Sequence, residues 1–207
     1  MEIVTQADLR LEGIGIPKIP HSLSLTQSMN HHGILAVTVW LEENEAQDTA
    51  RYVATGAYVI LTTSADHAKP IFCGVISSAR VYRKEGRHAA ELEVRSYSWL
   101  MDRDRKKISY QQSGRTWKAL TEMLLLPYGG IYTWDQPGKD QPVSDLLIQY
   151  EETDWEFLCR MAARQSYPVS PEVRVTGVEI CVGLPQNRES REIGTDRYRI
   201  RSGMDGA

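Results

Sequence analysis

No stretch of this chain approaches the ~20 consecutive apolar residues that cross a bilayer as a helix, so no membrane insertion of that kind is expected. Cysteine is scarce as well. The three present, Cys73, Cys159 and Cys181, are odd in number and show no Cys-x-x-Cys spacing, which argues against a disulfide framework or a zinc ribbon. Each sits among apolar neighbours (Phe72 and Val75, Leu158 and Met161, Ile180 and Val182), as buried, reduced thiols do. An excess of one charge is missing too: 24 basic against 27 acidic residues leave a formal net charge of −3. A chain that coats nucleic acid carries a strongly basic balance, so that class is disfavoured. The opening residues 1–13 lack the charged-then-apolar order of a signal peptide, and synthesis in the cytosol is expected.

Catalytic signatures are equally thin. There is no Gly-Lys-Ser/Thr phosphate loop, no Gly-x-Ser-x-Gly elbow and no His-Glu-x-x-His. Gly13-Ile14-Gly15-Ile16-Pro17 begins like a dinucleotide fingerprint, but the third glycine is lacking and no helix can follow Pro17-Lys18-Ile19-Pro20. His31 and His32 are adjacent, and adjacent residues on extended backbone point to opposite sides; a polar loop tip is expected, with a partner contact as the other reading. Glu42, Glu43, Glu45 and Asp48 lack the spacing and glycine of a calcium loop and read as a solvated acidic face. The basic run from Arg103 to Lys107 is interrupted by Asp104, preceded by Asp102 and free of interleaved aromatics, which reads as a solvated turn between domains rather than a nucleic-acid contact. Trp117, Trp155 and Phe157 could line a groove, yet at helical spacing they are more simply core. No catalytic, cofactor-binding or metal-binding residue is assigned.

What the sequence does contain is β pattern. Its 207 residues suffice for one large domain or two small ones. Residues 22–27, 36–42, 57–62, 71–81 and 90–99 read as strands, several with clean alternation such as Val37, Val39 and Leu41. Hairpin turns are expected at residues 30–33 and at Lys84-Glu85-Gly86-Arg87. Residues 43–53 are the exception, a short helix or irregular crossover. The pattern as a whole predicts an antiparallel barrel or sandwich. A helix follows at residues 116–125, with Trp117, Leu120 and Leu124 on one face, then a turn-rich loop over 135–142 and a short strand at 146–149. Thr153-Asp154-Trp155-Glu156 is a capping box, with Asp154 and Glu156 at the positive end of the helix dipole. The helix it opens carries Trp155, Leu158 and Ala162 on one stripe, with Phe157 and Met161 beside it. β pattern resumes from Val173, in Val178, Ile180 and Val182 and again at Tyr198 and Ile200.

The segment Leu147-Ile148-Gln149-Tyr150-Glu151-Glu152-Thr153-Asp154-Trp155-Glu156-Phe157-Leu158-Cys159-Arg160-Met161 resembles the strand and helix of late-control-D and VgrG-type baseplate hubs of contractile phage tails. Phe72-Cys73-Gly74-Val75-Ile76 and Tyr97-Ser98-Trp99-Leu100-Met101-Asp102 resemble further segments of that family in the same order, and the similarity covers most of residues 20–185. The resemblance implies a mainly β (α+β) chain: a tail-tube-like antiparallel β-barrel over 1–102, a small α/β insert with two helices over 103–170, and the start of a second β-barrel over 171–207. The chain stops at Ala207, so that second barrel is expected to be incomplete, and no spike-like extension follows it. The resemblance further implies a structural, non-enzymatic homotrimer that joins tail tube to spike and contacts other baseplate proteins. DNA or effector would pass through its lumen unbound, and the particle would be a virion tail, a tail-type bacteriocin or a related injection apparatus. Gly74 and Trp155 are expected to be architectural, one for close backbone approach and the other for packing. Two rival readings remain. One is a carbohydrate- or nucleic-acid-binding barrel. The other is a tail-associated cell-wall hydrolase drawing on Glu151, Glu152, Asp154 and Glu156, the dense acidic cluster near aromatics.

Overall fold

Alternation builds the first of two cores. In β3 (Ile34–Leu41) the side chains of Leu35, Val37 and Val39 are buried, and across the ladder Ala90, Leu92 and Val94 of β6 (Arg87–Ser96) face the same way. Each leucine or valine of this set removed from water is worth roughly 1.5–3 kcal/mol, and a one-residue slip would turn the whole set outward. The register is therefore fixed: Leu35 opposes Val94 and Val37 opposes Leu92.

The computed structural model describes residues 8–13, 19–43, 45–46, 56–63, 70–110, 114–134, 138–143 and 146–184. Six strands form the main sheet: β1 (Leu9–Glu12), β2 (Ser22–Thr26), β3, β4 (Tyr58–Thr63), β5 (Phe72–Lys84) and β6, in the order β1-β4-β5-β6-β3-β2. Every neighbouring pair is antiparallel. The long β5–β6 hairpin turns at Glu85 (φ 53°) and Gly86 (φ 76°), two left-handed residues whose twist matches the strands. A register shift between Ile76 and Ser78 bends β5, as bulges do. The result is a curled half-barrel whose apolar face also gathers Leu9, Leu11, Val59, Leu61, Phe72 and Ile76.

The sheet ends where a second core begins. Ser96 donates its N–H to Gly33 O at 2.9 Å, and a 3-10 helix, Tyr97–Asp102, follows. The strand expected to run through Trp99 stops three residues short, because Met101 is drawn fully into the second core. That core holds α1 (Trp117–Leu125) and α2 (Asp154–Arg164), with Trp117, Leu120, Leu124, Trp155, Phe157, Leu158 and Met161 buried together. Both helices are capped by threonine: Thr116 accepts from the Ala119 N–H, and Thr153 forms the full capping box with Glu156.

Small strands flank the helices. β7 (Lys106–Tyr110) pairs antiparallel with β9 (Leu147–Glu152). β8 (Ile131–Thr133) pairs parallel with β11 (Glu179–Val182), whose other edge takes β10 (Val169–Pro171). Val169, Val178, Ile180 and Val182 share the core of the two helices, so the boundary drawn at residue 171 passes along β10. Strands β1, β7, β8 and β10 carried no recognised sequence signal; all are three to five residues long. Most of the crossover expected at 43–53, together with Tyr198 and Ile200, lies outside the described residues. Among the described residues no helix is long and apolar enough to cross a membrane.

Candidate functional site

Two charged runs that read separately in the sequence are brought face to face. β7 lays Lys106 and Lys107 along β9, and the α2 N-terminus follows β9 directly. Lys106 Nζ lies 2.5 Å from Asp154 Oδ2, and Lys107 Nζ lies 2.6 Å from Glu151 Oε1. Arg105 donates to the Glu151 carbonyl and to Glu156 Oε1 at 3.2 Å. Arg160 grips Glu152 through two nitrogens, at 2.6 and 2.7 Å, and the hydrogen bonds of Arg160 hold the Glu152 carboxyl below its ordinary range. The end of the basic run, Lys106 and Lys107, is thus a paired strand, while Arg103, Asp104 and Arg105 form the exposed turn expected of the run. The acidic cluster is spent on structure in the same stroke. Asp154 is 1% exposed and is also bound by Tyr128 Oη (2.8 Å) and Gln149 Nε2 (3.0 Å). Burial, reinforced by the hydrogen bond to Asp154, pushes the Tyr128 phenol well above its usual value. A hydrolase's paired carboxylates face a cleft; these face lysine, arginine, glutamine and backbone.

The second assembly is the junction between sheet and insert, which the sequence reading did not find. His32 was expected at a polar loop tip. Its neighbour His31 is exposed, but the His32 side chain is only 9% exposed, and its ring packs on Trp155 with centroids 4.5 Å apart. His32 Nδ1 lies 2.8 Å from Ser98 Oγ, which lies 2.8 Å from Ser96 Oγ, which accepts from the Gly33 N–H at 3.0 Å. On the other side His32 Nε2 sits 3.3 Å from Asp102 Oδ2, close enough for charge attraction but not aligned as a hydrogen bond. Asp102 Oδ1 accepts from the Thr153 hydroxyl at 2.6 Å. The network thus runs from the sheet through the 3-10 turn to the cap of α2. Alongside it, Asn30 N–H donates to Val169 O (2.6 Å) while Asn30 Oδ1 accepts from Val169 N–H (2.8 Å).

A serine, a histidine and an aspartate in contact invite comparison with a hydrolytic triad. Ser98 is 2% exposed, and its hydroxyl is engaged by Ser96 and His32, so no substrate carbonyl reaches it. The arrangement is a buried strut. Burial, the dominant cause, holds His32 below its ordinary 6.5 against the opposing pull of Asp102. The sequence offers little hint of it, because the partners of Ser96 and Ser98, Gly33 and His32, lie 63 and 66 positions away.

The remaining candidates are structural as well. Gly13 (φ 99°) follows β1, where an added Cβ would lie 2.2 Å from Tyr58 O, while residues 14–18 lie outside the described residues. Glu42 and Glu43 are exposed, Glu45 Oε2 accepts from the Glu42 N–H (2.8 Å), and Asp48 lies outside the described residues. Among the described residues no group of acidic, histidine and cysteine side chains is arranged to hold a metal. Trp117, Trp155 and Phe157 are core. At Gly74 a Cβ would come within 2.1 Å of Arg95 O, the close approach anticipated for it. Cys73 and Cys159 are pushed up to about 12 by burial, which leaves little thiolate for chemistry.

The model of the family described as phage tail baseplate hub (GPD) matches residues 29–167, more than half of the chain, from β3 of the sheet to α2 of the insert. No curated protein sequence matches the chain. Among solved structures, a tail protein from Neisseria meningitidis is similar at TM-score 0.58 and 14% identity, covering 85% of this chain and 50% of that one. A prophage tail protein from Shewanella oneidensis gives 0.63 and 13%, with 84% and 53% covered. An E. coli component of the type VI secretion system, described as structurally similar to T4 bacteriophage tail proteins, gives 0.58 and 12%, with 83% and 48% covered. At these identities the likeness is one of fold, and the chain spans about half the length of the proteins it matches.

Proposed function

The chain belongs to the phage tail baseplate hub (GPD) family, and from that premise we propose that it is a structural, non-enzymatic hub and tail-tube initiator of a contractile tail or tail-like injection particle. It would join the tail tube to a central spike as a homotrimer and leave a lumen through which DNA or effector passes. Residues 171–207 would lead from the insert toward a second barrel. The particle would be a virion tail or an extracellular tail-like assembly, put together from cytoplasmically made subunits.

The observation that carries the reading is that one family match runs unbroken from β3 to α2, across four of the six sheet strands, the junction and both helices of the insert. The sheet's polar side supports it. An open groove of about 530 Å3 there is lined by small or acidic side chains, among them Ser22, Ser24, Thr38, Ser78, Glu91 and Glu93, with Arg80 the one cation. A wall of that chemistry gives a polyanion little to bind. The non-enzymatic part rests on the acidic cluster being engaged by Lys106, Lys107, Arg105 and Arg160.

The test is the solution mass of the purified chain by light scattering, followed by negative-stain imaging with its tube and spike proteins. A mass near three times 23.5 kDa with small rings supports the hub. A strict monomer that forms no ring with those proteins present would overturn it. Loss of turbidity of purified cell walls, abolished by Glu156→Gln, would replace it with the hydrolase reading.

A further inference from the structure

The strut at the junction is built around a histidine held neutral, and its hydrogen-bond order is determined. Gly33 N–H can only donate, so Ser96 Oγ accepts from it. Ser96 then donates to Ser98 Oγ, and Ser98 donates to His32 Nδ1. In this order each serine hydrogen has an acceptor, the ring hydrogen sits on Nε2 and Nδ1 is a pure acceptor. The opposite order strands the Ser96 hydrogen.

Adding a proton to His32 puts it on Nδ1 and takes away the acceptor at the end of the chain. Ser98 must then accept from the ring, and one of the two serine hydroxyl hydrogens is left without an acceptor in a buried site. The new imidazolium also draws on Asp102, 3.3 Å from Nε2. Asp102 is already held by the Thr153 hydroxyl, the group that caps α2. The two oxygens of Asp102 serve them separately, Oδ1 the Thr153 hydroxyl and Oδ2 the ring, so protonation disturbs the serine chain and not the helix cap.

We propose that the Ser96–Ser98–His32 chain, which sets the His32 ring against Trp155 of α2, is an acid-released latch, clamping the insert to the sheet while His32 is neutral and loosening that clamp when His32 takes up a proton. The charged groups facing the ring are Asp102 from the 3-10 turn, Arg95 from β6 and His31 beside it. From α2 the contact is Trp155, with Glu156 turned to Thr153 N–H and Arg105. Arg95 and His31 oppose protonation, Asp102 favours it, and burial outweighs Asp102. The sign follows: a folded value below the ordinary 6.5 gives stability that is complete above 6.5 and declines as pH falls through the lowered value. The latch needs only the sheet–insert arrangement, so it stands or falls apart from the hub assignment.

The experiment is an NMR pH titration of the full chain, following the His32 ring and the Trp155 indole together, with urea midpoints across the same range. The expected result is a His32 midpoint below 6.5, a Trp155 shift that titrates with it, and a urea midpoint that drops over that window. His32→Gln, whose carbonyl still accepts from Ser98, should flatten the urea profile, whereas His31→Gln should leave it unchanged. A His32 midpoint at or above 6.5, or a Trp155 resonance that ignores it, overturns the latch without any variant having to fold. An unchanged acid slope in a folded His32→Gln protein overturns it as well.

Discussion

Asp154 concentrates the largest single-residue stake. Its carboxylate is buried and takes hydrogen bonds from Lys106, Tyr128 and Gln149, so β7, β9, the turn after α1 and α2 all meet at one side chain. Removing one partner of such a pair costs about 3–5 kcal/mol. Asp154→Ala should sit near 3, because Lys106 is 32% exposed and can regain water; urea denaturation measures it. Gly74→Ala fails for a different reason, since its Cβ would fall 2.1 Å from Arg95 O and β5 must part from β6. Overpacking of that kind costs about 3 kcal/mol, and calorimetry should show a lower Tm for this variant than for Gly86→Ala at the open hairpin tip. Gly74 could be anticipated because a glycine amid Phe72, Cys73, Val75 and Ile76 has few other uses. His32 could not, because an isolated polar pair reads as loop until its partners, 66 or more residues away, are placed beside it.

At the scale of elements, the two threonine caps make a controlled comparison. The Thr116 hydroxyl caps the α1 backbone, whereas the Thr153 hydroxyl caps α2 and also donates to Asp102. Loss of an N-cap alone costs about 1 kcal/mol, so Thr116→Ala should lower stability by that amount in a urea titration. Thr153→Ala should cost about 2 kcal/mol, the cap plus a charge-assisted hydrogen bond; equal losses in the two variants would deny Asp102 its part. Both helices were legible, α2 down to its cap, because capping and 3.6-residue periodicity are local. The alternating strands β2 to β6 were legible for the same reason, with ends that tertiary contacts moved, as at Ser96. The short strands were not. Three residues such as Ile131–Thr133 are too few to show a period, and β7 is a strand because Glu151 and Asp154 neutralise its lysines, a fact held in another part of the chain.

For the whole molecule, the sheet and the insert have separate cores joined by a narrow polar seam, so they differ in what they require of the chain. All six strands of the sheet lie before residue 97. The insert draws its core from Met101 through to Val182, and its β8–β11 ladder joins Ile131 to Glu179. A chain ending at residue 177 should keep the sheet and lose the insert, because Val178, Ile180 and Val182 no longer cover the helices. In NMR, dispersed resonances from β3 and β6 with collapsed ones from α1 and α2 would show this, whereas a fully dispersed spectrum would contradict it. The parallel β8–β11 ladder thereby sets an order of events at the ribosome. Closing a loop across that many residues is slow compared with zipping a hairpin. The nascent chain can finish its sheet once Ser96 has emerged, while both helices wait, amphipathic and exposed, until Val182 leaves the exit tunnel. That interval is when a chaperone or a neighbouring subunit has the helices within reach.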